Sequence, residues 1–168
     1  MTRLFLDCEW ADTLASELVI LALVDETGQH RFYSEVTPLP KQPTDWVRAV
    51  VYPLLQHGYA ARQQVDFTRD LRAFLARFDH PAVLFDYPVD GTLFDFALAG
   101  FDLPTDVVIK LGPTPALTRT LISRDEISHH IEAYFRQHLD QATQRHHAAV
   151  DAEALCWAFE QALREGTP

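Results

Sequence analysis

Residues Thr2–Thr13 read TRLFLDCEWADT, and the fold turns on how this stretch is taken. Arg3–Leu6 has the character of a buried β-strand, yet Asp7 and Glu9 stand where the apolar run should continue. Side chains alternate between the two faces of a strand, so Asp7 and Glu9 point one way and Cys8 the other. On that alternation Cys8 reads as a small buried hydrophobe. Two adjacent carboxylates at the end of a hydrophobic strand repel each other, and without a cation one of them should hold a proton. No basic residue near them in sequence can pair with both. The stretch therefore predicts a buried strand whose end presents acids to something positive.

Working outward, Glu17–Val24 (ELVILALV) is a strongly apolar strand, and Asp25–Gly28 follows it as a hairpin-type turn. Gln29–Val36 alternates polar and apolar residues and should pair antiparallel with it. Thr37–Pro43 carries three prolines and is excluded from helix and central strand. Thr44 or Asp45 can cap a helix through about Val51, which Pro53 ends or kinks. Asp66–Phe78 places Phe67, Leu71, Phe74, Leu75 and Phe78 on one helical stripe. Ala82–Phe85 is a short buried strand, followed by a helix from about Asp90 to Ala99, and Val107–Ile109 reads as a further short strand. Ser123–His138 and His146–Arg164 read as helices, the second facing inward through Ala152, Leu155, Cys156 and Phe159. This order predicts an α/β fold with a mixed sheet of about five strands flanked by helices.

Length and composition bound the rest. The 168 residues (19.1 kDa) suit a single domain with a substantial core, 1–168. No apolar run approaches the roughly 20 residues of a membrane span. No basic stretch with an apolar signal region opens the sequence, and two cysteines fit a reducing cytoplasm rather than a disulfide framework. The expectation is a cytoplasmic protein without a membrane partner. Net charge is −10 with only Lys41 and Lys110 as lysines, which excludes a broad basic surface holding nucleic acid by charge alone. A nucleic-acid substrate would have to be held by metal ions and a local patch.

Further acids and a histidine stand out. Asp86 ends the strand Ala82–Phe85, and Asp90 opens the following helix, where alone it would serve as an N-cap. Asp151 lies on the final helix among small and apolar neighbours, five residues after His146. Residues five apart on a helix are about 140° out of phase. His146 and Asp151 can meet only if His146 sits in or just before the first turn. His147 reads as a structural or surface neighbour, and His129 and His130 as solvated residues on a polar helix face.

These residues resemble the DEDDh 3′–5′ exonucleases, a family with the ribonuclease H-like fold. LFLDCEW (Leu4–Trp10) looks like the first family motif, and HHAAVDAEA (His146–Ala154) is similar to the third. FDYPVD (Phe85–Asp90) is similar in spacing to the second, with Asp86 where the family usually shows Asn and Asp90 as the metal-binding Asp. Asp95 is a rival for that role, but Gly91 stands four residues before it. The first motif also lacks the common Thr-Thr-Gly after its Glu; Asp-Cys-Glu followed by an aromatic is similar to compact bacterial 3′–5′ exoribonucleases.

The resemblance implies a metal-dependent exonuclease, with RNA the expected substrate ahead of DNA, releasing nucleoside 5′-monophosphates from a 3′ end. Asp7, Glu9, Asp90 and Asp151 would hold two divalent ions roughly 4 Å apart. Carboxylate oxygens suit hard cations, so Mg²⁺ or Mn²⁺ is expected. His146 would be the general base. Trp10, Asp86, Tyr87 and Phe94 are candidates for substrate contact, the aromatics by stacking on bases. It implies a homodimer too, with Trp46 and Tyr134 as candidate contact residues. The alternative is an inactive exonuclease-like domain that binds nucleic acid or protein. A pure binder, however, has no need of mutually repelling carboxylates.

Overall fold

The computed structural model describes residues 1–166. Its centre is the strand that the opening stretch foretold. β1 (Arg3–Trp10) runs on through both acids rather than stopping before them. β2 (Leu18–Asp25), buried at every position, pairs antiparallel with β1, and β3 (Arg31–Val36) pairs antiparallel with β2. The turn between β2 and β3 is closed by Asp25, whose carboxylate accepts from the Thr27 hydroxyl at 2.7 Å and the His30 backbone N–H at 3.0 Å.

α1 (Asp45–Val50) starts at Thr44, whose side chain accepts from the Val47 N–H, and runs into a 3₁₀ turn at Tyr52–Leu54 containing Pro53. β4 (Ala61–Arg62) pairs parallel with the end of β3. α2 (Gln64–Leu75) buries Phe67, Leu71, Phe74 and Leu75 of the expected stripe, while Phe78 lies beyond the helix end and is only partly buried. β5 (Ala82–Phe85) pairs parallel with β1 and leads into α3 (Pro88–Ala99). α4 (Thr105–Val108) and a 3₁₀ turn follow, then β6 (Thr118–Leu121), parallel to β5. α5 (Arg124–Gln137), α6 (Leu139–Ala142) and α7 (Ala148–Glu165) complete the described residues.

The fold is α/β, and the mixed sheet has six strands in the order β4-β3-β2-β1-β5-β6, in keeping with a ribonuclease H-like arrangement. The strand expected at Val107–Ile109 is helical instead. Pro104 starts a turn there, and buried Arg72 donates to the carbonyls of Leu98 at 2.9 Å and Gly112 at 2.5 Å. Those bonds hold the chain in a compact turn against α2 and override the β-preference of two valines and an isoleucine. The outer strand is β6, an exposed edge with no apolar alternation to announce it.

Alternation along β1 divides the core. Leu4, Leu6 and Cys8 pack with α2 and α3, through Phe67, Leu71, Leu93 and Phe94. Phe5 packs on the other face with α7, through Leu155, Ala158 and Ala162. Asp7 and Glu9 share the parity of Phe5 and so belong to the α7 face. β5 accompanies β1 only from Arg3 to Phe5 in register. Beyond that point the two parallel strands part, and their C-terminal ends border an opening. A bulge between Glu9 and Trp10 turns Trp10 out of the regular register.

Candidate metal centre

Four elements deliver acids to that opening. Asp7 and Glu9 come from the end of β1, and Asp86 follows β5 directly. Asp90 sits in the first turn of α3, whose N-cap is Tyr87, so it is not the cap that it suggested in isolation. Asp151 sits in the first turn of α7. All line one cavity of about 630 Å³, along with Trp10, Trp46, Tyr87, Arg124, Arg145 and His146.

His146 immediately precedes His147, the N-cap of α7, in the left-handed region at φ +73. That position meets the condition set by its spacing from Asp151. Its backbone N–H donates to Asp151 Oδ2 at 3.0 Å, and its Nδ1 lies 3.9 Å from Glu9 Oε1. Donor atoms of Glu9, His146 and Asp151 fall within 4.8 Å of one another. The His146 ring stands edge-on to Trp46, with centroids 4.9 Å apart. Burial, and then the Arg145 charge, lower the His146 pKa below its ordinary value, so the ring is neutral at physiological pH.

The carboxylates are strongly perturbed. Burial, reinforced by Asp151 and Asp90, pushes Glu9 up to about 9. Burial is also the first cause for Asp7, followed by Asp90, Asp151 and Glu9, and holds it well above the carboxylate range. Asp90, 2% exposed, is raised by burial and then by Asp86. Asp151 rises to about 7, chiefly by burial. Asp7 Oδ2 and Asp151 Oδ1 are enclosed and have no hydrogen-bond partner among the described residues.

Asp12, at the same cavity, gives the contrast. Its oxygens accept from Ser16 N–H at 2.8 Å, Glu17 N–H at 3.0 Å and Ser16 Oγ at 2.8 Å. It is fully occupied as a turn residue. The unpartnered oxygens of Asp7 and Asp151, in a cluster of hard oxygen donors, fit divalent cations of the Mg²⁺ or Mn²⁺ kind.

The other expected residues fall on both sides of the cavity wall. Trp10 and Tyr87 stack with centroids 5.8 Å apart and planes 8° from parallel. Asp86 lies 3.7 Å from the Arg124 Nε. Phe94 does not reach the cavity: it is fully buried against Leu6 and Phe67, with no face left for a base. Asp95 is on the far side of α3, paired with Arg119. Tyr134 is buried against Trp157 rather than offered to a partner, and Trp46 belongs to the cavity. His147 is buried too, stacked on Tyr33 at 4.9 Å and 3.3 Å from Gln56 Nε2. His130 is likewise buried, not solvated.

Arg124 and Arg145 are cavity residues that the sequence did not announce. Arg124 opens α5, and its guanidinium lies 5.6 Å from the Tyr87 ring centroid. Only the parallel placement of β6 beside β5 brings it there. Arg145 pairs with Glu132 and packs 4.8 Å over Phe135; its adjacency to His146 was the available signal. Among the described residues no helix is long and apolar enough to cross a membrane. No protein-family model matches the chain, and no curated protein matches it.

Proposed function

We propose that this chain is a cytoplasmic, metal-dependent 3′–5′ exonuclease of the DEDDh kind, acting on RNA and releasing nucleoside 5′-monophosphates. The observation that carries the reading is the convergence of Asp7, Glu9, Asp90 and Asp151 with two enclosed, unpartnered carboxylate oxygens. A fold gains nothing from burying repelling acids, and such groups stay charged only when something positive meets them.

These four residues would hold two divalent ions, which supply charge for the transferring phosphoryl group and make bound water more acidic. His146 is the general base. Its neutral ring sits beside Glu9 and Asp151, where an attacking water must give up its proton. The Asp151 carboxylate fixes the backbone at His146 by accepting its N–H, and Trp46 limits the ring's rotation. Trp10 and Tyr87 offer aromatic faces at the wall, suited to stacking on the terminal bases. Arg124 and Arg145 are the cations of the cavity and suit phosphate oxygens.

The test is incubation of the purified protein with Mn²⁺ or Mg²⁺ and 5′-end-labelled RNA and DNA oligomers of several lengths. Shortening should proceed from the 3′ end, faster on RNA, and Asp7→Asn should abolish it. Oligomers that bind yet persist uncut with either metal would favour a binding module instead.

A further inference from the structure

A second cluster of metal-ligating side chains lies away from the acidic cavity, where the end of α7 meets α5. His129 and His130 are adjacent on α5, and Glu165 is the last residue of α7. One donor atom from each lies within 4.8 Å of the others. None of the three lines the acidic cavity.

His130 makes this more than a chance grouping. It is 5% exposed, and its Nε2 is enclosed without a hydrogen-bond partner among the described residues. Glu165 Oε2 is 3.5 Å away, too far for a hydrogen bond of ordinary strength. A buried imidazole nitrogen and a carboxylate oxygen at that distance can both bind one ion set to the side of the line between them. Tetrahedral zinc, with Zn–N and Zn–O of about 2.1 Å, sets its ligand atoms about 3.4 Å apart. The His130–Glu165 separation already matches one such edge. His129 and Glu165 are exposed and free to turn, so the remaining contraction falls on mobile side chains.

We infer that His129, His130 and Glu165 form a binding site for a zinc-type divalent ion, distinct from the carboxylate centre and independent of the exonuclease reading. Two imidazoles and one carboxylate favour Zn²⁺ or its borderline neighbours over Mg²⁺, which prefers oxygen throughout. The ion would tie the C-terminal turn of α7 to α5. Those helices carry Asp151 and Leu155, and Ile131 and Phe135, to the wall of the acidic cavity.

The test uses Zn²⁺ alone, with Mg²⁺ in excess to occupy the oxygen-rich cavity. Crystals soaked in Zn²⁺ should show an anomalous peak at the zinc edge between His130 Nε2 and Glu165, retained in Asp151→Asn. In solution, Zn²⁺ at about 100 times its Kd should raise the melting temperature by roughly 5–10 °C. His129→Ala and Glu165→Gln, both at exposed positions, should fold normally and lose the peak and most of the rise. Zinc found only at Glu9, His146 and Asp151 would overturn the inference. So would a thermal rise that both variants retain in full.

Discussion

Asp151→Asn, studied without divalent metal, should stabilise the protein at pH 8 and leave it unchanged near pH 4. In the folded protein the Asp151 pKa rises from 3.8 to about 7, first by burial. Because the folded pKa is raised, the folded state keeps a proton that the unfolded chain has lost. Stability therefore falls as pH climbs from about 4 to about 7, and the full penalty is present above that. A shift of about three units at about 1.4 kcal/mol each gives roughly 4 kcal/mol as an upper bound. The cavity is open to solvent and the acids share their protons, so about half of this, ~2 kcal/mol, is the expected gain. For a chain of this size that is roughly 4–8 °C in melting temperature. The substitution preserves the local structure, since the Asn carbonyl can still accept the His146 N–H. The assay is urea or thermal unfolding in chelator at pH 4.5, 6 and 8, repeated with Mn²⁺. With metal the order should invert, because the native protein gains stability by linkage and the variant gains far less. A variant less stable than native by more than about 1 kcal/mol at pH 8 in chelator would refute the reasoning. It would make Asp151 a structural partner rather than a strained ligand.

Other outcomes follow from the same geometry. Asp90→Asn should lower turnover by orders of magnitude with the fold intact, whereas Asp95→Asn should cost only its exposed pair with Arg119, about 0.5 kcal/mol in denaturation; an Asp90→Asn variant as active as the native protein would overturn that assignment. His146→Ala should reduce kcat by about 10²–10⁴ while keeping metal binding. His147→Ala should instead lose about 1–2 kcal/mol of stability with its Tyr33 stack, measured by denaturation, and retain most activity. The acid limb of kcat/KM should lie below the ordinary imidazole value of about 6.5, because burial lowers the His146 pKa; the neutral form works, so activity rises with pH, and a limb that keeps moving with Mn²⁺ concentration would assign it to metal loss. Gly91→Ala places a Cβ 2.5 Å from Phe85 Cζ, so the Phe85 ring or α3 must shift; a net loss of about 1 kcal/mol is expected from denaturation, with weaker metal affinity by calorimetry if α3 is what moves.

Much of this was legible because the central elements carry strong periodic signals. β1, β2, β3 and β5 announce themselves by apolar runs and alternation, and the stripe of α2 by its spacing. The acids of β1 were visible as a violation of the strand's own pattern, a mark of function in an otherwise consistent sequence. What stayed hidden depends on tertiary contacts. Arg72 captures the carbonyls that turn Val107–Ile109 away from a strand. β6 is exposed throughout and has no buried face to impose alternation. Phe94 lies four residues after Asp90 on α3, and sequence alone does not say that its ring is enclosed by the core while Asp90 lines the cavity. His130 and Tyr134 share one side of α5 that α7 covers, which no local count of polar neighbours reveals.

The central claim is that the four carboxylates form a two-ion centre. Crystals soaked in Mn²⁺ and measured at the manganese edge test it most directly. Two anomalous peaks are expected in the cavity, within ligand distance of Asp7, Glu9, Asp90 and Asp151. Asp7→Asn should lose both. A cavity that takes up no manganese at millimolar concentration, or binds it only away from these four residues, would contradict the account.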